Sequence, residues 1–341
     1  MPPGRLADLE DFNYDTLITE YIGNDNAAGR ERALKWLARY GLIANEFLCP
    51  ECQQRSASLV KYSTSPDAFI WRCNRCRLGG ENEASSRFSV RTGSFFSKAH
   101  LSLHQTLKLT YYWATHPTSK LSQGKCPARV PHVRKSPTFQ TETNIHSRTT
   151  IIDYYNFLRD LCQQWALRIQ TNTRLGGLGR VIEIDESKLF HAKYNRGNML
   201  GRQYDWVFGM IERDTNKVRF FHVPDRTAAT LLPIIAANIE PGSTIVSDGW
   251  SAYGGINNLQ QQYNHQWVNH RINFVNPTDP MVHTQGIEAT WGALKTSLRH
   301  LHGTNKEMLP TYLYQYMFRR FHNNNKIFLH ILEEMRVQFP V

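Results

Sequence analysis

The sequence has no apolar run long enough to span a bilayer, which predicts a protein without a transmembrane segment and without a membrane partner. Its N-terminal residues, MPPGRLADLEDFNYD, do not place a basic stretch before an apolar one, so we expect no secretory signal. Because nothing predicts export, disulfides are not expected, and the six cysteines are interpreted as thiols or metal ligands.

Acidic residues are scarce relative to basic ones. The chain has 29 Asp and Glu against 40 Lys and Arg, a net charge of +11. A surplus of this size favours an anionic partner, because neutralising phosphates releases counterions and steers association. The charge therefore indicates nucleic acid, DNA or RNA, without selecting a function. The apolar fraction of 41% is ordinary and can bury a core.

Four of the cysteines form two Cys-x-x-Cys pairs: Cys49 with Cys52, and Cys73 with Cys76. This pairing is typical of a structural zinc site with four thiolate ligands. A redox function of the thioredoxin type would need one such pair beside a βαβ unit, whereas this chain has two. The spacing predicts one structural Zn²⁺ in a zinc ribbon.

The second half of the chain alternates short β-rich runs with helical patterns. The predicted order is strand, hairpin, helix, strand, helix and final helix, over 181–187, 205–224, 225–239, 243–248, 284–301 and 309–322. This order predicts an α/β fold with a mixed sheet.

Three acids stand where they can share a site. Asp185 and Asp248 follow apolar strands, and Glu288 lies one turn into a predicted helix. Three carboxylates share a site as anions only if cations neutralise them, and two Mg²⁺ or Mn²⁺ ions would do so. Glu183 and Glu186 are rival acids on the first strand, and Glu183 shares a face with Asp185. Spacing alone leaves the choice open.

Several runs together resemble the Merlin superfamily of cut-and-paste DNA transposases and its bacterial insertion-sequence relatives: VIEIDESKLF, VPDRTAATLLPII, PGSTIVSDGWSAYGG, VNPTDPMVHTQGIEATWGALK and YLYQYMFRRF. The resemblance implies a ribonuclease H-like core in which an Asp-Asp-Glu triad binds two divalent metals. By motif, the triad is Asp185 in EIDES, Asp248 in SDGW and Glu288 in GIEATW. Lys295, two turns after Glu288, is a candidate phosphate contact, and Trp250 and His283 flank the acids.

The resemblance also implies a DNA-binding helix-turn-helix before the core. Its best match has Ser147–Leu158 as the recognition helix, with Arg148 and Thr149 facing DNA. A plain amphipathic connector helix is an equally good interpretation of the pattern. The predicted organisation is a helical segment, a zinc ribbon, a helical DNA-binding segment containing a basic loop, and the core, at 1–45, 46–82, 83–175 (loop 117–139) and 178–335.

The hypothesis is therefore a DNA transposase that binds the inverted repeats at its element's ends, cleaves there and joins the strand to target DNA. Two ends must meet, so a homodimer or larger assembly on double-stranded DNA is expected. The expected location is nuclear in a eukaryote and the cytoplasm or nucleoid in a bacterium. Two alternatives stay open: a domesticated, catalytically silent DNA-binding regulator, and a zinc-ribbon nuclease that processes RNA.

Overall fold

A computed structural model of the chain describes residues 4, 6, 9, 12–54, 57–78, 86–115, 143–189, 206–268, 279–301, 304, 306–322 and 326–341. They form two compact units. The first is drawn from 1–116, 132–161 and 325–341, and the described part of the second lies within 162–324. The predicted basic loop at 117–139 lies outside the described residues.

The longer helices are, in chain order, α1 (Ala27–Arg39), α2 (Asn74–Leu78), α3 (Leu103–Thr115), α4 (Arg148–Asn172), α5 (Ala228–Asn238), α6 (Gln285–Leu298), α7 (Leu309–His322) and α8 (Ile327–Gln338). The strands are β1 (Ala57–Lys61), β2 (Phe69–Cys73), β3 (Arg87–Ser89), β4 (Leu175–Gly176), β5 (Val181–Lys188), β6 (Trp206–Glu212), β7 (Val218–Val223), β8 (Ile239–Glu240), β9 (Thr244–Asp248) and β10 (Asn264–Val268). A helical turn at Tyr14–Thr16 and a π-helical segment at Leu17–Ile22 precede α1.

Local sequence explains where α1 begins and ends. The Asn26 side chain accepts the backbone N–H of Gly29 at 2.9 Å, which caps the first turn. Gly41, shortly after the last helical residue, has φ of +68°, a conformation that glycine adopts without strain. Ala33 and Leu37 are fully buried on the inner face of the helix.

The first unit contains a three-stranded antiparallel sheet, β1–β2–β3. A buried ion pair connects the turn between β1 and β2 to the segment that follows β3. Arg91 donates two hydrogen bonds to Asp67, and both side chains are 4% exposed. Asp67 also accepts the backbone N–H of Leu103 at 3.0 Å, so the start of α3 is tied to the turn between β1 and β2.

The second unit contains a five-stranded mixed sheet in the order β10-β9-β5-β6-β7. Strands β5, β6 and β7 are antiparallel neighbours, while β9 runs parallel to β5 and β10 runs parallel to β9. The two-residue strands β4 and β8 form a small parallel pair.

Each face of this sheet packs against helices. On one face, buried side chains of the central strands pack with α5 and with a 3₁₀-helical segment, Ser251–Asn258. On the other face, the ring of Phe220 from β7 lies 5.1 Å from that of Trp291 in α6 and 5.8 Å from that of Tyr316 in α7. Alternation along the strands supplies both faces with apolar side chains.

The predicted α/β class with a mixed sheet is confirmed. Strand β5 runs on to Lys188, so Asp185 lies inside a strand and not at its end. Strand β10 and helix α8 were not predicted, and α8 belongs to the first unit. Among the described residues, no helix combines the length and apolar character needed to cross a membrane.

Candidate active site and zinc cluster

Helix α6 lies over the face of the sheet that carries Asp185. Asp185 pairs in register with Gly209 of β6, and the Trp291 ring packs over that glycine. A Cβ at Gly209 would lie 2.6 Å from Trp291 Cζ2, so only glycine permits this approach without a shift. The indole N–H of Trp291 donates to Asp185 Oδ2 at 2.9 Å. Trp291 therefore orients the Asp185 carboxylate.

Asp248 is the last residue of β9, the strand beside β5. Val246 pairs with Glu183, so alternation places Asp248 on the same sheet face as Asp185. Asp248 Oδ1 accepts the backbone N–H of Trp250 at 2.9 Å. This turn holds the carboxylate at the end of the strand.

Glu288 lies in the first turn of α6, where its Oε1 accepts a hydrogen bond from Thr284 Oγ1 at 3.0 Å. Its negative charge also acts on the pKa of Asp185. Burial, then the charge of Asp248 and to a smaller extent that of Glu288, raises the pKa of Asp185 to about 7. The hydrogen bonds from Trp291 and from the Glu186 backbone act in the opposite direction. Asp248 and Glu288 thus both act electrostatically on Asp185.

The four predicted zinc ligands come together in the first unit. Cys49 Sγ lies 3.7 Å from Cys76 Sγ, and Cys52 Sγ lies 3.6 Å from Cys73 Sγ. A tetrahedral zinc with Zn–S bonds near 2.3 Å would separate its sulfurs by about 3.8 Å. Burial raises the pKa values of the Cys49 and Cys76 thiols, so their thiolates need a cation such as Zn²⁺ for stability. The cluster therefore fits zinc in both geometry and chemistry.

The four cysteine sulfurs lie closer to one another than the three carboxylates of the candidate active site do. Within the described part of the chain, they are the one set of three or more His, Cys, Asp or Glu ligand atoms that all lie within 4.8 Å of one another. The carboxylates of Asp185, Asp248 and Glu288 do not all lie within this distance of one another.

Comparison with known proteins gives the family. The ISXO2-like transposase domain matches residues 178–320, a range that includes all three acids. An uncharacterized transposase-like protein of Haemophilus influenzae is 30% identical over 111 residues, which cover 33% of this chain and 85% of that protein. The chain belongs to the insertion-sequence-type DDE transposase family. The predicted resemblance to bacterial insertion-sequence transposases is confirmed.

A second relative matches nearly the whole of this chain. Male abnormal protein mab-31 of Caenorhabditis elegans is 25% identical over 334 residues. The alignment covers 96% of this chain and 71% of that protein. The similarity therefore extends to the cysteine cluster as well as to the domain that the family model matches.

Glu183, the rival acid on the same face of β5, has a structural role. Its carboxylate is 1% exposed and lies 2.9 Å from Arg213 Nη2. It also accepts the backbone N–H of Ile287 at 2.8 Å, in the first turn of α6. Arg213 in turn donates to the carbonyls of Met281 and His283. The ion pair therefore anchors the start of the helix that carries Glu288.

Glu186, the other rival, is adjacent to Asp185 in β5 and so projects from the opposite face of the sheet. It is 9% exposed, and burial raises its pKa to about 7, an effect that the neighbouring Tyr253 hydroxyl partly offsets. Its side chain belongs to the face that packs on α5, away from the face that carries Asp185 and Asp248.

The remaining candidates have different surroundings. Lys295 is half-buried in α6, and burial lowers its pKa. The charge of Asp185 acts in the opposite direction, so the Lys295 ammonium group interacts electrostatically with the carboxylate site. His283 lies beside the anchor: its Nδ1 is 3.8 Å from Glu183 Oε1. Arg213, Thr284 and Trp291 were not identified from the sequence, because each acts through a partner distant in the chain or through helix geometry.

Two of the predicted DNA contacts, Arg148 and Thr149, lie in the first unit. Arg148 and Thr149 are exposed in the first turn of α4, and the Ser147 hydroxyl accepts the Thr150 N–H at 3.3 Å. Farther along the helix, exposed positions include Asp153 and Asp160. Carboxylates repel phosphate, so these later positions do not favour contact with DNA.

Proposed function

We propose that this protein is a DNA transposase whose active site is formed by Asp185, Asp248 and Glu288. The observation that carries the proposal is the contrast between two acids on one strand face. Glu183 is neutralised by Arg213, whereas burial, and then the charges of Asp248 and Glu288, raise the pKa of Asp185. A buried carboxylate whose pKa is raised by neighbouring carboxylates is typical of a site that is completed by divalent cations.

Oxygen donors favour Mg²⁺ or Mn²⁺ over zinc, and the three acids are the residues that would hold two such ions. Bound there, the ions would lower the pKa of an attacking water and stabilise the leaving oxygen on phosphorus. The chain's own side chains prepare this site: Trp291 orients Asp185, the Trp250 N–H orients Asp248, and Thr284 orients Glu288. In this proposal Lys295, whose pKa is influenced by Asp185, contacts a phosphate of the DNA.

The mixed sheet, with three antiparallel strands extended by two parallel ones, supports a ribonuclease H-like core within 178–335. The cysteine cluster supports a zinc ribbon at 46–82, and the exposed start of α4 supports a DNA-binding segment within 83–175. In this proposal the transposase holds two transposon ends as a homodimer or larger assembly, cleaves each and joins it to target DNA.

Metal-dependent nicking tests the site. A supercoiled plasmid that carries the genomic DNA flanking this reading frame is incubated with the protein and Mg²⁺ or Mn²⁺. Nicking by Asp248→Asn should fall by about 100-fold or more, because one ligand of a metal that supplies several kcal/mol is lost. Asp214→Asn is the control: it alters an acid in the β6–β7 hairpin with φ of +60°, where asparagine is well tolerated. Equal nicking by Asp248→Asn and the parent would show that the triad assignment is wrong.

A second candidate is a DNA-binding regulator that keeps the fold without the chemistry. The relative mab-31 favours it, since that protein is named for a male abnormality and aligns along nearly the whole chain. Such a regulator would bind the flanking DNA with the same affinity in the parent and in Asp248→Asn, and neither would nick it with either metal.

A further inference from the structure

Two of the chain's eight tryptophans, all of which the structure describes, are exposed by more than a third: Trp250 at 37% and Trp267 at 55%. Both lie beside Gly249, the residue after Asp248. Trp250 follows it in the chain, and Trp267 Cε3 is 3.5 Å from the position that a Cβ would take there. Exposed aromatic surface next to a candidate active site indicates a place for a flat or apolar part of a ligand.

The Trp250 ring is held in one orientation. Its backbone N–H donates to Asp248 Oδ1 at 2.9 Å, and its indole N–H donates to the carbonyl of Arg226 at 3.1 Å. The Arg226 guanidinium lies over the ring, 4.1 Å from its centroid. A ring that is immobilised in advance loses little conformational entropy when a ligand stacks on it.

Positive charge accompanies this aromatic surface. The same Arg226 guanidinium lies 4.1 Å from the centroid of Trp206, so it contacts two indole rings. Lys188 Nζ lies 4.7 Å from the Trp206 centroid. Aromatic rings interleaved with cations bind single-stranded nucleic acid, because bases stack on the rings while the cations attract the phosphates. An uncharged apolar peptide would not use these charges.

We propose that Trp250 stacks on an unpaired DNA base next to the phosphate that is cleaved, which rests on the proposed cleavage at Asp185, Asp248 and Glu288. Bases within a duplex have both faces covered by their neighbours, so the stacked base must have left the duplex. The hydrogen bond from the Trp250 N–H to Asp248 connects the stacked base to the carboxylate site. Stacking would therefore set which phosphate enters that site.

Binding without cleavage tests this role. The probes are a single-stranded oligothymidylate and an oligomer of equal length whose nucleotides are abasic, so that phosphates are kept and bases removed. Affinities are measured by fluorescence anisotropy on the full chain, with Ca²⁺ in place of Mg²⁺. One stacked base strengthens binding by about fivefold to a hundredfold. The parent should prefer oligothymidylate by at least about fivefold, and Trp250→Leu should lose that preference.

Matched variants separate stacking from bulk. Trp250→Phe retains a ring and should keep most of the preference, whereas leucine retains only apolar bulk. Phe321→Leu removes a 41% exposed aromatic ring from the same unit and should leave the preference unchanged. Equal base preference in Trp250→Leu and the parent would overturn the stacking proposal.

A measurement on the parent protein covers the case in which Trp250→Leu does not fold. Single-stranded DNA carrying 5-iodouracil should photocross-link to the peptide containing Trp250, and cross-links confined to other peptides would overturn the proposal.

Failure of the proposed cleavage function gives a different combination of nicking and base preference from failure of stacking. Nicking that depends on Asp248, without a base preference, would reject stacking alone. A base preference that depends on Trp250, in a protein that does not nick, would support stacking and reject cleavage.

Discussion

Glu183 and Arg213 form a buried ion pair whose Oε1–Nη2 distance is 2.9 Å, with exposed side-chain fractions of 1% and 12%. The same carboxylate accepts the Ile287 N–H, and the same guanidinium holds two carbonyls of the segment before α6. The pair thus fastens the helix that carries Glu288 to strand β5, which carries Asp185.

Replacing one member of the Glu183–Arg213 ion pair should destabilise the second unit. We expect Glu183→Gln to lower the free energy of unfolding by about 3 kcal/mol, because the Arg213 charge would remain buried without its counter-ion. Urea unfolding measures this loss. Nicking should fall as well, since Glu288 depends on the position of α6.

The control for Glu183→Gln is Glu31→Gln, which removes the exposed pair between Glu31 and Lys35. Solvent screens that pair, so the midpoint of urea unfolding should hardly move. A Glu183→Gln protein as stable as the parent would contradict the anchoring role of the ion pair.

Gly209 should be intolerant of a methyl group. A Cβ there would lie 2.6 Å from Trp291 Cζ2 and 2.7 Å from Cη2, so the indole would have to move away from Asp185. We expect Gly209→Ala to cost about 1–3 kcal/mol of stability through overpacking, and to reduce nicking. Thermal unfolding and plasmid nicking measure the two effects.

Gly292→Ala is the matched control on helix α6. A Cβ at Gly292 would meet nothing within 4 Å, and alanine favours the helix over glycine by about 0.5–1 kcal/mol. This variant should be slightly more stable than the parent and equally active. A stable, active Gly209→Ala protein would show that the contact between Trp291 and the sheet is not needed.

The cysteine cluster should bind one zinc per chain. We expect purified protein to contain zinc by elemental analysis, Cys73→Ser to lose it, and a strong chelator to unfold the first unit, because removal of the metal leaves four buried thiols without a shared ligand. Circular dichroism follows the unfolding. Cys162→Ala, which alters a buried cysteine outside the cluster, should retain zinc. Full zinc content in Cys73→Ser would rule out the four-thiolate site.

Local patterns explain which features were predictable. Each Cys-x-x-Cys pair closes within one short turn, so its spacing is written into a few consecutive residues, and the structure confirms the predicted cluster. The β6–β7 hairpin was predicted for the same reason, from Arg213-Asp214-Thr215-Asn216 between two β-rich runs. Strand β10 escaped prediction because its residues, NHQWV, lack regular alternation and lie at an edge of the sheet.

The sequence by itself determined the fold class, the family and the grouping of the cysteines, because these depend on periodicity, on motifs and on short-range spacing. It also placed Glu183 and Asp185 on one face of a strand, since alternation is a local property. Only the tertiary structure decided how the two acids differ. Arg213 and Ile287 reach Glu183 from 30 and 104 positions away, whereas Trp291 reaches Asp185 across 106. Such partners are chosen by packing of distant segments, which no local pattern encodes.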